Sequence, residues 1–241
     1  METFSTTQKL AAEALGTAFL LAIVVGSGVM GDTLAGGNVA LALLANAVAT
    51  GAGLYVLITI FLPISGAHFN PAVTLAMAAR KKIAPGMAIA FVGAQLVGAI
   101  AGVWAAHAMF DLEILQVSVK ARSGMGQIFG ECIATFGLVL TIFGCVRFRP
   151  DSIAAGVGFY ITAGYWFTSS TSFANPAVTI ARAFTDTFAG VRSEDAALFI
   201  LAQGLAALLA AAIAAWLFEP RDARAKAGYS PADEEGTGAA L

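Results

Sequence analysis

Asn70-Pro71-Ala72-Val73-Thr74 and Asn175-Pro176-Ala177-Val178-Thr179 are one pentapeptide written twice in a chain of 241 residues. Each copy follows an apolar stretch long enough to span a bilayer. Asn is a strong N-cap and Pro is favoured at the first helical position, where its missing N–H costs nothing, so each copy opens a helix. These helices begin inside the membrane. The first runs from Asn70 to about Arg80 and covers about 15 Å, half of a hydrocarbon core of about 30 Å. The second, from Asn175 to about Asp186, has the same reach. Two half-helices of opposite orientation meeting tip to tip would make a seventh, broken span.

The composition sets lipid as the solvent for the rest. Apolar residues make up 59% and charged residues 12% of the chain, and the mean hydropathy is +0.81, so too few charges exist to coat a water-soluble surface. Apolar blocks at about 9–31, 39–61, 84–109, 125–147, 152–169 and 196–218 predict six transmembrane helices. The first block lacks the basic lead-in and cleavage pattern of a signal peptide and is expected to be retained. A single compact membrane domain over 1–218 follows, with residues 219–241 as a disordered cytoplasmic tail. The net charge of -2 points away from nucleic acid. Cys132 and Cys145 lie about 20 Å apart along one span and cannot bridge each other.

Basic residues orient the chain. With a cytoplasmic N-terminus, and with each Asn-Pro-Ala segment returning to the side it entered from, nine of the 13 lysines and arginines face the cytoplasm. They are Lys9, Arg80, Lys81, Lys82, Arg147, Arg149, Arg221, Arg224 and Lys226, and both termini are then cytoplasmic.

The halves, about 9–109 and 125–218, repeat beyond the pentapeptide. Glu13 and Thr17 reappear as Glu131 and Thr135, 118 residues on, Gln95 reappears as Gln203, 108 on, and the pentapeptides are offset by 105. Three spans per half, an odd number, invert the second half, the plan by which transport proteins place a pathway at the midplane. Irregular backbone at that depth must be buried in protein or line a water-filled space, so Leu62 to Phe69 and Thr168 to Ala174 are expected to offer carbonyls to such a space. The two half-helix tips add about half a positive charge each. At roughly 4 Å and an effective dielectric of about 20 they repel a cation by near 4 kcal/mol before pore water reduces the figure. A passive conduit for neutral polar molecules is the expectation. A coupled transporter would need titratable groups that the spans barely supply beyond the two glutamates. The spacing of His68, His107 and the cysteines supports neither a metal set nor a nucleophile–base pair, and no cofactor or enzymatic activity is expected.

Ser65-Gly-Ala-His-Phe-Asn-Pro-Ala-Val-Thr74, the second pentapeptide and the two Glu-x-x-x-Thr pairs together resemble the aquaporin, or major intrinsic protein, family from Glu13 to about Phe218. The resemblance implies an all-α bundle of six tilted helices and two re-entrant half-helices, a pore within each subunit and a homotetramer in the membrane, here a bacterial inner membrane. It implies that Asn70, Pro71, Ala72 and Asn175, Pro176, Ala177 form the pore motifs, the two asparagines donating hydrogen bonds to the permeating molecule. Glu13 and Glu131 would hold the re-entrant loops, and His68 would line the pore. By spacing, the family's outer filter falls on Thr50, Ala163, Ser172 and Val178. Water- and glycerol-conducting members usually carry Arg at the last of these positions. Arg182, one turn further on, is expected to cap packing or meet an acidic loop rather than to substitute. Four small uncharged residues predict a wider, less polar constriction that admits glycerol, urea and neutral metalloid hydroxides with some water. Val178 and the run Ala181-Arg-Ala-Phe-Thr-Asp-Thr-Phe-Ala-Gly190 resemble a bacterial branch linked to arsenic resistance, which implies arsenite and methylated arsenic acids as solutes. A water-selective pore is the alternative.

Overall fold

The computed structural model describes residues 4–219, which form eight α-helices and one 3₁₀ turn. Helix α1 (Thr6–Leu34) starts at a capping box in which Ser5 and Gln8 satisfy each other's backbone. Helix α2 (Val39–Ser65) is capped by Asn38 and ends at Gly66, whose φ of 91° only glycine adopts freely. The half-helix α3 (Pro71–Ala79) begins at Asn70, and α4 (Pro85–Met109) has Pro at its first position. In the second half come α5 (Met125–Phe148), a 3₁₀ turn at Pro150–Ser152, α6 (Ile153–Phe167), the half-helix α7 (Pro176–Arg182) and α8 (Ser193–Phe218).

Five helices, α1, α2, α4, α5 and α8, are long and apolar enough to cross a membrane. The sixth expected span is α6, with 15 residues; together with the 3₁₀ turn before it, it reaches about 28 Å. Helix α7 ends at Arg182 rather than near Asp186. The N–H that would extend it, on Asp186, donates to Gln116 Oε1 at 2.8 Å, while the Arg182 carbonyl accepts from Val191 at 3.1 Å. Apart from Glu219, which Arg80 binds, the expected tail lies outside the described residues, as do Arg221, Arg224 and Lys226.

Within each half the first helix packs on the other two, α1 on α2 and α4, and α5 on α6 and α8. The half-helices cross over: α3 packs against α8 and α7 against α4, so each re-entrant segment is held by the opposite half. Close approach of α1 and α4 depends on the Gly98-x-x-x-Gly102 pair. A Cβ at either glycine would stand 2.1 Å from the carbonyl oxygen of Ala14 or Ala18, a distance that forces the helices apart. Large apolar side chains such as Ile89, Val97, Phe159 and Leu205 point outward, as expected of a surface facing lipid or a neighbouring subunit.

Candidate solute pathway

The two asparagines meet at the centre. Each caps its own half-helix, Asn70 Oδ1 accepting from Ala72 N at 2.8 Å and Asn175 Oδ1 from Ala177 N at 3.0 Å. Each amide nitrogen reaches across: Asn70 Nδ2 donates to the Ala174 carbonyl at 2.7 Å, and Asn175 Nδ2 to the Phe69 carbonyl at 2.8 Å. An amide carries two N–H donors, so one on each asparagine locks the halves together and the other remains for a molecule in the cavity that both residues line. Pro71 and Pro176 take the first helical positions, and Ala72 and Ala177 follow with almost no exposed surface.

The loops that enter these motifs are strained and tied down. Ala67, Phe69, Ser172 and Ala174 all have φ between 48° and 53°, a left-handed conformation that costs a non-glycine residue about 1–2 kcal/mol. Two carboxylates hold it. Glu13 accepts from Ser65 Oγ at 2.6 Å, His68 N at 2.9 Å, Phe69 N at 2.8 Å and Gln95 Nε2 at 2.8 Å. Glu131 accepts from Phe173 N at 2.9 Å, Ala174 N at 2.8 Å and Gln203 Nε2 at 2.6 Å. The same glutamines donate to Thr74 and Thr179, hydroxyls that in turn donate to the Asn70 and Asn175 carbonyls. The repeat seen in the sequence is therefore a repeat of hydrogen bonds. His68 lines the cavity with its Nδ1 on Thr74 Oγ1 at 3.0 Å and its ring edge-on to Phe91.

The cavity, about 100 Å³, has room for on the order of three waters at about 30 Å³ each. Its walls are ridges at every fourth residue: Thr50, Leu54, Ile58 and Leu62 on α2, Ile153, Val157, Ile161 and Tyr165 on α6, Leu138, Ile142 and Val146 on α5. One helical face cannot present both 161 and 163, which lie about 200° apart around the axis. Ala163 is accordingly exposed and absent from the lining; Tyr165 stands on that wall instead, its hydroxyl 3.1 Å from Thr50 Oγ1. Thr50, Ser172 and Val178 do line the cavity. Ser172 Oγ is buried without a hydrogen-bond partner.

Arg182 also lines the cavity, and among the described residues it forms no ion pair. It is 2% exposed, its Nε donates to the Ala189 carbonyl, and its guanidinium lies 3.4 Å from the Phe173 ring centroid. The cavity wall beside Val178 is thus less uniformly small and apolar than four small filter positions suggest. Lys120 and Arg122 gather the same loop, Lys120 Nζ on the Phe188 carbonyl at 2.6 Å and Arg122 Nε on the Gly190 carbonyl at 2.8 Å. Burial, then the neighbouring Arg122 and Arg182, push the Lys120 ammonium down to about 8 against the pull of Asp32 and Asp186. His107 is buried and fully engaged: Nδ1 donates to the Ile114 carbonyl at 2.9 Å, which leaves Nε2 to accept from Thr185 at 2.8 Å. It pins two loops at this mouth. Sequence spacing missed Tyr165 and the lumen position of Arg182; the fourfold ridge 153–157–161–165 is the signal that locates the tyrosine.

The family model of the major intrinsic proteins matches residues 1–150. The chain is 52% identical to aquaglyceroporin AqpS of Rhizobium meliloti (strain 1021) over 220 residues, 91% of this chain and 94% of that protein. It is 31% identical to aquaporin-4 of Notomys alexis over 180 residues, 70% of this chain and 54% of the relative. Among solved structures, the aquaglyceroporin from Plasmodium falciparum superposes with a TM-score of 0.69 at 22% identity, covering 92% of this chain and 98% of that one, which is a likeness of fold. With residues 1–150 matched by the family model and a relative at 52% identity along almost its whole length, the chain belongs to the major intrinsic protein family.

Proposed function

We propose that this chain is a passive membrane channel for small uncharged polar solutes, glycerol, urea and neutral metalloid hydroxides such as arsenite, with some water, through a pore in each subunit. The observation that carries the reading is the cavity itself, whose lining combines apolar ridges with the two capping asparagines, their amides locked across the halves. A solute bearing several hydroxyls can exchange water partners for those amides while its carbon skeleton or central atom lies against Leu54, Ile58 and Val157. The relative named an aquaglyceroporin supports solutes larger than water, as does the side chain at 178, which is Val rather than Arg.

In this reading Asn70 and Asn175 donate to the permeant, Glu13 and Glu131 support the loops, and Thr50, Tyr165, Ser172 and Val178 form the constriction, with Tyr165 in place of Ala163. The unit is one channel domain over 1–218, working as a homotetramer in a bacterial inner membrane with cytoplasmic termini. The placement of Lys9, Arg80, Arg147 and Arg149 supports that orientation.

Uptake of radiolabelled glycerol and of arsenite into proteoliposomes tests the reading. Entry is expected to rise linearly with concentration and to ignore imposed proton and sodium gradients. Saturable uptake driven by either gradient would instead establish a coupled transporter; fast water flow with no solute entry would establish a water-selective pore.

A further inference from the structure

Position 178 carries no charge, yet the wall one helical turn further on does. Arg182 is almost completely buried and lines the cavity together with Val178, four residues earlier on α7. A buried guanidinium without a carboxylate is costly. The ion pairs among the described residues join Arg80 to Glu219 and Arg192 to Asp195, leaving Arg182 without an acidic partner. Glu131, the acidic side chain behind the second re-entrant loop, is spent on the backbone of Phe173 and Ala174 and on Gln203.

What the fold gives Arg182 is a support that is not an ion pair. Nε donates to the Ala189 carbonyl, and the guanidinium lies over the face of Phe173 at 3.4 Å. Arg122 approaches the same ring at 5.1 Å, but its three hydrogen bonds go to the Gly190 and Phe188 carbonyls and to Thr171. Arg122 therefore organises the loop whose Ala189 carbonyl positions Arg182. Among the described residues, the hydrogen bond of the Arg182 guanidinium is that of Nε to Ala189, and its terminal nitrogens engage no acceptor. Ser172 belongs to the same cavity wall, but its unpartnered hydroxyl oxygen has almost no accessible surface. A guanidinium on a cavity wall with terminal nitrogens that no described residue engages is what a passing ligand with oxygen acceptors would use.

We propose that Arg182 is a specificity-determining residue of this pore: it supplies the fixed positive charge of the constriction, repelling inorganic cations and hydrated protons while donating hydrogen bonds to the oxygens of neutral solutes, with Arg122 as its positioning residue. The proposal rests on the channel reading above. A unit charge about 6 Å from an entering cation, at an effective dielectric of about 20, lowers cation occupancy roughly hundredfold, and water in the pore reduces that to about tenfold or somewhat more. The charge sits one turn of helix away from residue 178, so Val178 keeps that level open to a bulky solute while Arg182 still guards against ions.

The test measures, in the same proteoliposome preparations, cation conductance (potassium current and proton entry reported by a trapped pH dye) and glycerol entry, and compares their ratio between wild type, Arg182→Gln, Arg182→Lys and Arg122→Gln. Arg182→Gln is expected to raise the cation-to-glycerol ratio at least tenfold, Arg182→Lys to keep it within about threefold of wild type, and Arg122→Gln to raise it by a smaller factor. A merely structural arginine would lower both fluxes and leave the ratio unchanged, which would overturn the proposal. If Arg182→Gln does not assemble, Val178→Glu decides: it places a carboxylate one turn from an intact Arg182 and cancels its charge, so the ratio must rise tenfold or the proposal fails. Absence of glycerol entry in the wild type would instead refute the channel reading on which the proposal stands.

Discussion

Glu13 and Glu131 occupy equivalent places in the two halves but carry different loads, and replacing each by Gln separates them. Glu13 uses Oε1 for Ser65 Oγ and His68 N–H and Oε2 for Phe69 N–H and Gln95 Nε2. A glutamine there with its oxygen at the Oε2 position opposes its NH₂ to the His68 N–H, and Ser65 Oγ stays bonded only by reversing to accept, as it already does from Ala67 N. Glu131 uses Oε1 for Phe173 N–H alone and Oε2 for Ala174 N–H and Gln203, so a glutamine with its oxygen at the Oε2 position loses only one acceptor. A buried hydrogen bond to a charged group is worth about 1.5–3 kcal/mol. Glu13→Gln should therefore cost about 2–4.5 kcal/mol, one bond lost and one weakened, and Glu131→Gln about 1.5–3 kcal/mol. For a protein of this size 1 kcal/mol corresponds to about 2–4 °C; the detergent-solubilised Glu13→Gln protein should melt about 1–6 °C below Glu131→Gln, as followed by intrinsic fluorescence. Because the Phe69 and Ala174 carbonyls receive the asparagine amides, both variants should also lose glycerol flux per folded channel. A Glu131→Gln protein as unstable as Glu13→Gln, or more so, would refute the reasoning.

Three other outcomes are expected. Val178→Arg puts a second guanidinium one turn from Arg182, about 6 Å away and repelled by about 3 kcal/mol at an effective dielectric of 20, and adds bulk to the wall; glycerol permeability should fall at least tenfold and water permeability less than threefold, in stopped-flow scattering. Tyr165→Ala removes the largest side chain of the α6 ridge and frees Thr50, so erythritol entry should rise at least threefold with little change for water. Lys120, lowered to about 8 from about 10.5 in an unfolded chain, leaves the unfolded state binding more protons between those values, so stability rises as pH increases from 8 to 10.5. Lys120 is only half-buried, so solvent screening holds the gain to about 1 kcal/mol. The melting temperature of wild type relative to Lys120→Met should climb by about 2–4 °C across that window, and a flat difference would contradict it.

The legible parts of this protein are those that local chemistry dictates. Asn-Pro is a cap followed by a first-turn residue wherever it occurs, so α3 and α7 could be placed to the residue at their starts. The loop-holding role of Glu13 and Glu131 is implied by the family resemblance, and it agrees with the need of charged residues inside apolar spans for partners. The end of α7 was not legible because it is set by a contact 70 residues away, Gln116 taking the Asp186 N–H. Distance from a motif is a poor guide to the wall of a helix beyond an irregular loop: a two-residue difference in phase moves Ala163 out of the lining and brings Ile161 and Tyr165 into it. Arg182, one turn beyond residue 178, reads in the sequence as capping packing or meeting an acidic loop, and a buried charge needs such a partner. The aromatic face of Phe173 and a single carbonyl meet that need differently, and no spacing rule in the sequence marks that arrangement.

The central claim is a wide channel for neutral solutes, and stopped-flow light scattering of proteoliposomes carrying the wild-type protein tests it most directly. Under an inward glycerol gradient the vesicles should shrink and then re-swell at least tenfold faster than empty vesicles, with a low activation energy. Re-swelling no faster than in empty vesicles, alongside accelerated water flow in the same preparation, would contradict the account and leave a pore that passes water alone.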